Sequence, residues 1–104
     1  MQTNGEEPVY VISVAARLAG LPCWVLRVLD QEGIVIPVRT DSNRRLYSDQ
    51  DIALLARVRY LTEERGVNIA GVKVILEIEK QQAEQQQRQK LPAVVAPFDR
   101  GNVS

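Results

Sequence analysis

The chain has 104 residues, 45% of them apolar, enough for one modest folded domain with a single core. Its 13 basic and 13 acidic residues cancel, so net charge gives no argument for a polyanionic partner and only local clustering can. One cysteine and no histidine exclude an internal disulfide, the usual nitrogen–sulfur zinc site within one chain and any histidine-dependent catalytic triad.

Residues 1–8 read as a disordered, polar lead-in without the features of a signal peptide. Val9 to Ile12 form a short β-rich run. Ser13 is placed to cap a short helix that carries Val14 and Leu18 on one face and stops at Gly20. Pro22 stands at the start of a second helix, "CWVLRVLDQEG", with a broad apolar stripe of Val25, Leu26, Val28 and Leu29, closed by Gly33. Two short helices joined by a tight, glycine-containing turn form the helix-turn-helix pattern.

Next, "IVIPVR" is a β-branched run interrupted by Pro37, which demotes a strand to an edge or an end. Asp41-Ser42-Asn43 turns the chain and "RRLY" returns it, so residues 34–47 read as a β-hairpin. Ser48 and Asp51 make a capping-box variant that opens the longest helix, about 49–65, with Ile52, Leu55, Val58 and Leu61 as core candidates. After Gly66, Asn68 caps a helix beginning "IAGVKVILEIEKQQ", in which Ile69, Val72, Ile75 and Leu76 recur at helical spacing. From Glu79 the chain turns polar and glutamine-rich, a continuation of the helix with no apolar seam. "LPAVVAPFDRGNVS" reads as an extended tail. The expected organisation is a folded domain over 9–80 and a glutamine-rich helix extension with a flexible tail over 81–104. The absence of any membrane-length apolar run fits a cytoplasmic protein.

The expected fold is therefore mainly α with a small β-hairpin, a winged helix-turn-helix. The second helix suits a DNA major groove, about 12 Å wide, with the hairpin on the neighbouring backbone. Local charge agrees: between Ser13 and Tyr47 lie Arg17, Arg27, Arg39, Arg44 and Arg45 against Asp30, Glu32 and Asp41. Guanidinium groups on a wing are suited to phosphate, with charge-assisted and often bidentate bonds. The Tyr47 hydroxyl can donate to a phosphate while its ring packs below. Taken alone, an arginine-rich hairpin tip is more often a solvated turn, and Arg27 an exposed residue paired with nearby Asp30 or Gln31; the order of elements is what favours DNA. Trp24, at the start of the second helix, has both a core and a base-contacting reading. Cys23 reads as inert, with a redox switch as the alternative, since a helix N-terminus favours the thiolate. No set of residues capable of enzyme chemistry, no metal site and no cofactor site emerges.

These residues resemble the DNA-binding domain of MerR-family transcription regulators. The landmarks are Val14-Ala15-Ala16 and Gly20 in the first helix and Leu26-Arg27 in the second. Gly33-Ile34, Pro37-x-Arg39 and Arg45-x-Tyr47-Ser48 follow in the wing. "ERGVNIAGVKVILEIE" is similar to the heat-shock repressor (HspR) branch. The resemblance implies a repressor of chaperone and protease genes, bound to inverted-repeat operators as a dimer, with the chaperone DnaK as co-repressor. It assigns Arg27 to the DNA backbone, Arg39 and Arg45 to the wing and Tyr47 to its end; Arg44 is added on charge. The sequence departs from the family in the second helix, where Val25, Val28 and Leu29 replace a threonine and an aromatic pair. Few donors to bases remain, so readout falls to Trp24 or Val25 against thymine methyls, or to DNA shape. The glutamine-rich stretch lacks the apolar a and d positions of a coiled coil, so the expected homodimer is weak or assisted by DNA. In the tail, Leu91, Val94, Val95 and Phe98 form an extended apolar segment suited to a chaperone's peptide groove. Two other readings stay open: an architectural DNA binder with little sequence preference, and a protein-interaction module.

Overall fold

The computed structural model describes residues 5–90. The chain divides into a unit ending at Lys73 and a unit beginning at Val74. In the first, strand β1 (Tyr10–Val11) runs straight into helix α1 (Ile12–Ala19), and helix α2 (Cys23–Gln31) follows. Strands β2 (Val38–Arg39) and β3 (Arg45–Tyr47) form the hairpin, followed by α3 (Asp49–Arg59) and a π-helical turn over Tyr60–Glu64. Helix α4 (Ile69–Lys90) starts in this unit and continues into the second. The architecture is the expected winged helix-turn-helix.

Glycine positions the first two helices. Gly20 and Gly33 both adopt φ +73°, the left-handed conformation that a Cβ disfavours. At each end two bonds close the helix: Gly20 N–H and Leu21 N–H donate to Arg17 O and Ala16 O. Gly33 N–H and Ile34 N–H donate to Asp30 O and Leu29 O. This paired closure satisfies carbonyls that would otherwise be orphaned. It leaves α1 and α2 turned by 103°, within the range of helix-turn-helix motifs.

The wing is broader than a hairpin. Its strands are antiparallel in the order β1-β3-β2, so β1 supplies a third strand beside β3. Tyr10 lies opposite Tyr47 and Val11 opposite Leu46, while Val38 and Arg39 face Leu46 and Arg45. This pairing explains why α1 starts two residues early: Val11 leaves the sheet extended and serves as N-cap, without a side-chain bond, so Ser13 falls inside the helix. The lead-in is also anchored from Gly5 onward. Gly5 O accepts a bond from Gln50 N–H, one of the first-turn donors of α3, and the Tyr10 hydroxyl donates to Asp49 at 2.7 Å.

The core of the first unit contains Leu26, Leu29, Val35, Tyr47, Leu55, Val58 and Val72, all fully buried. In α1 the buried face is Ala15, Ala16 and Ala19, whereas Val14 and Leu18 are exposed by 41% and 55%. Val14 and Leu18 do share one face, as their spacing predicts, and it is the outer one. The small alanines let the α1 backbone approach its neighbours closely, and the larger pair is left outside. The capping box forms as predicted: Asp51 N–H donates to Ser48 Oγ, and Ser48 N–H to Asp51 Oδ2. Asn68 caps α4 by accepting from Gly71 N–H. Gly71 has a packing reason to be glycine, because a Cβ there would lie 2.8 Å from the Val67 side chain.

In the second unit α4 runs on as helix to Lys90, through the glutamine-rich stretch. Val74 and Ile78 are exposed one turn apart, and the positions that follow them are polar. Leu91, Val94, Val95 and Phe98 lie outside the described residues. Among the described residues no single helix is long and apolar enough to cross a membrane.

Candidate nucleic-acid interface

The outer face of α2 is set by its inner one. Leu26 and Leu29 point into the core, so Trp24, Arg27 and Gln31, spaced by three and four residues, form one exposed stripe. Trp24 is 64% exposed, which resolves its two readings in favour of the surface. Cys23 is half-buried at the helix start. Gln31 was not singled out from sequence, yet its place on this stripe was readable from the spacing alone. An amide can bond N6 and N7 of an adenine together in the major groove.

The wing tip is internally braced. Thr40 N–H donates to Arg44 O and Asn43 N–H to Thr40 O. Asn43 takes a left-handed φ of 66°, which asparagine tolerates better than most residues. The Thr40 hydroxyl accepts from Arg44 N–H and bonds the Ser42 hydroxyl. The tip is thus a tight turn followed by a single left-handed residue, a standard hairpin closure.

Arg39 and Arg45 lie directly opposite each other in the β2–β3 pair. Like charges in that position repel. A carboxylate from α2 resolves the conflict: Asp30 Oδ2 accepts from Arg39 Nη2 at 3.1 Å and from Arg45 Nε at 3.0 Å. The bland reading of Arg27 pairs it with nearby Asp30 or Gln31. The structure instead leaves Arg27 exposed and, with Arg17 and Arg44, without an ion-pair or hydrogen-bond partner for its side chain among the described residues. Arg17 is exposed in the last turn of α1, where a cation also complements the helix dipole.

Beside the wing is an open cleft of about 250 Å³ lined by Val11, Ile12, Ser13, Asn43, Arg44 and Arg45. It brings two arginines to the start of α1, whose first-turn N–H groups receive no capping side chain. Helix starts and arginine side chains are both common phosphate donors in protein–DNA contacts. Ser13, expected as a cap, lies in this cleft.

Tyr47 requires a correction. Its side chain is fully buried, and its hydroxyl has no hydrogen-bond partner among the described residues. A phosphate on the surface is out of its reach, because β3 turns this side chain into the core while its ends pair with both neighbouring strands. Burial raises the phenol above its ordinary value of 10, with the Arg45 guanidinium pulling the other way. Below about pH 10 the proton stays on in both folded and unfolded chains and stability is independent of it. As pH rises further, the unfolded chain releases its proton first, so stability falls until the raised folded value is passed. Tyr47→Phe is expected to abolish that part of the alkaline loss. At neutral pH it should leave stability unchanged or raise it by about 1 kcal/mol, since an unpaired buried hydroxyl is costly. Urea titrations at pH 7 and 10.5 read both effects. A clear loss of stability at pH 7 would mean that the hydroxyl makes a bond the fold depends on.

Residues 10–78 match the family described as MerR HTH family regulatory protein. A protein named as heat shock protein HspR from Streptomyces coelicolor is 51% identical over 83 residues, covering 80% of this chain and 55% of that protein. The HTH-type transcriptional regulator GlnR of Bacillus anthracis is 32% identical over 77 residues, 74% of this chain and 59% of GlnR. The HTH-type transcriptional repressor CarH of Myxococcus xanthus is 37% identical over 71 residues, 67% of this chain and 23% of CarH. The chain therefore spans little more than half the length of HspR and GlnR.

Proposed function

Because the chain belongs to the MerR family of helix-turn-helix regulatory proteins, we propose that it is a transcriptional repressor of heat-shock genes, chaperones and proteases among them. It acts by binding inverted-repeat operators as a dimer. The observation that carries this reading is the wing bonded directly to the helix that bears the Trp24–Arg27–Gln31 stripe. A helix with an exposed face of mixed chemistry, tied to an arginine-bearing wing, suits a major groove and the phosphates beside it.

In this reading Arg17, Arg27, Arg39, Arg44 and Arg45 contact phosphates, and the cleft at the start of α1 receives one of them. Trp24 meets thymine methyl groups and Gln31 a base edge. A palindromic site calls for two copies of the chain. DnaK serves as co-repressor and docks on the segment of Leu91, Val94, Val95 and Phe98. Unfolded protein would then draw the chaperone away and release the genes.

A second reading is favoured by one feature. The start of α2, Pro22-Cys23-Trp24-Val25, offers almost no side-chain hydrogen-bond donors to bases, which suits an architectural DNA binder with little sequence preference. Trp24→Ala separates the two. With a duplex enriched by the full chain from a random pool, and a shuffled version of it, a base-reading Trp24 predicts about a tenfold fall in preference, within the range of one lost base contact. Binding to the shuffled duplex should change little. Equal loss on both duplexes would remove Trp24 from readout and favour the architectural role.

A further inference from the structure

Asp30 stands where helix chemistry disfavours it. It lies in the last turn of α2, where the negative end of the helix dipole repels a carboxylate, and that turn holds no basic residue to compensate. A residue that breaks a local rule in this way commonly answers to something outside its own helix. Its side chain is only 14% exposed, and one oxygen, Oδ2, holds guanidinium groups from both strands of the hairpin. Arg39 is gripped a second time, through Nη1, by Asn43 Oδ1 at 3.0 Å. One carboxylate thus joins α2, β2, β3 and, through Arg39, the wing tip. Arg45 is held by Nε alone, and both its terminal amino groups lack a partner among the described residues.

We propose that Asp30 is a positioning residue for DNA binding. It fixes Arg39 and Arg45, and with them the wing, against α2 in the arrangement that meets a duplex, while leaving N–H groups of both arginines for phosphate. The inference rests on the DNA-binding reading above. Plain electrostatics gives the opposite sign. A carboxylate beside a polyanion repels it, so removing the charge would by itself tighten binding to any duplex.

Asp30→Asn in the full chain tests this with a fluorescein-labelled random-sequence duplex, titrated by anisotropy across a salt series. Positioning predicts about tenfold weaker binding and a salt slope lower by about one, as arginines stop meeting phosphates. Asp30→Glu should restore most of the slope. Binding as tight as wild type or tighter, with an unchanged slope, would overturn the proposal. Thermal melts of each variant show whether it is folded at the assay temperature. Asn43→Gly supplies a second test that leaves α2 intact, since glycine accepts the left-handed backbone of this position. It removes the outer side-chain grip on Arg39 and should weaken binding to the same duplex by a smaller factor, whereas no change in either variant would end the idea. Failure of the wild-type chain to bind the duplex at low salt would instead strike the DNA-binding reading itself.

Discussion

Leu26→Ala is expected to lower stability by about 2–5 kcal/mol, because a fully buried leucine leaves both lost transfer energy and a cavity. A domain of this size has only about 5 kcal/mol or a little more to lose. The midpoint of thermal unfolding should fall by at least about 10 °C, and much of the chain should unfold near 37 °C. Leu26 lies between Trp24 and Arg27, so the same change should remove DNA binding by dissolving the helix that presents them. Leu18→Ala is the contrasting case. Leu18 is more than half exposed, and its loss should alter stability by no more than about 0.5 kcal/mol. Thermal melts of the two variants decide whether α1 buries its alanines or its larger residues. A large loss for Leu18 with a small one for Leu26 would invert the packing described above.

The double change Arg39→Ala/Arg45→Ala should have the largest effect on binding. On the proposed reading it removes two phosphate contacts and leaves Asp30 as an unpaired negative charge next to the DNA. Affinity should fall by at least about a hundredfold on every duplex, and the slope of log K against log salt by about two. Preference between sequences should change little, since phosphate contacts carry no sequence information. Arg65→Ala, at the end of the π-helical turn and bonded to Tyr60, should leave both quantities unchanged. An unaltered salt slope in the double variant would mean that these arginines serve only to hold the wing to α2.

Local chemistry was legible in the sequence wherever one short segment decides it. Ser48 and Asp51 announce a capping box because both partners lie in the same turn. Gly20 and Gly33 announce helix ends because few other residues take that backbone conformation. The helix-turn-helix and its wing follow from the order of such signals. Other features depend on partners far along the chain. The pairing of β1 with β3 joins Tyr10 to Tyr47, and no local pattern distinguishes it from a free strand. The spacing puts Val14 and Leu18 on one face of α1 without saying whether it is the inner one, and Ala15, Ala16 and Ala19, which the helix buries, fit the same period on another side. Periodicity finds apolar faces but does not rank them; close packing does.

The same distinction governs the site. The places of Arg39, Arg44 and Arg45 on the hairpin and of Trp24 and Arg27 on α2 could be read from the order of elements. Asp30 could not be read, because the helix offers Arg27 three residues away as a ready partner. Its observed partners are nine and fifteen residues on, across the wing. Tyr47 ends an arginine-bearing strand, which predicts a hydroxyl that reaches a phosphate above a packed ring. Its burial depends on which way β3 faces once β1 and β2 flank it. The π-helical turn after α3 likewise left no mark in composition.

The repressor reading turns on sequence preference, and the affinity ratio between two duplexes measures it most directly. The full chain would be titrated against an inverted-repeat heat-shock promoter fragment and a scrambled version of it, across salt, with and without DnaK. A ratio of about a thousand or more at physiological salt, increased by DnaK, is the expected result for a specific repressor. Equal and steeply salt-dependent affinity for both fragments, indifferent to DnaK, would contradict it and identify a winged helix that binds DNA without reading it.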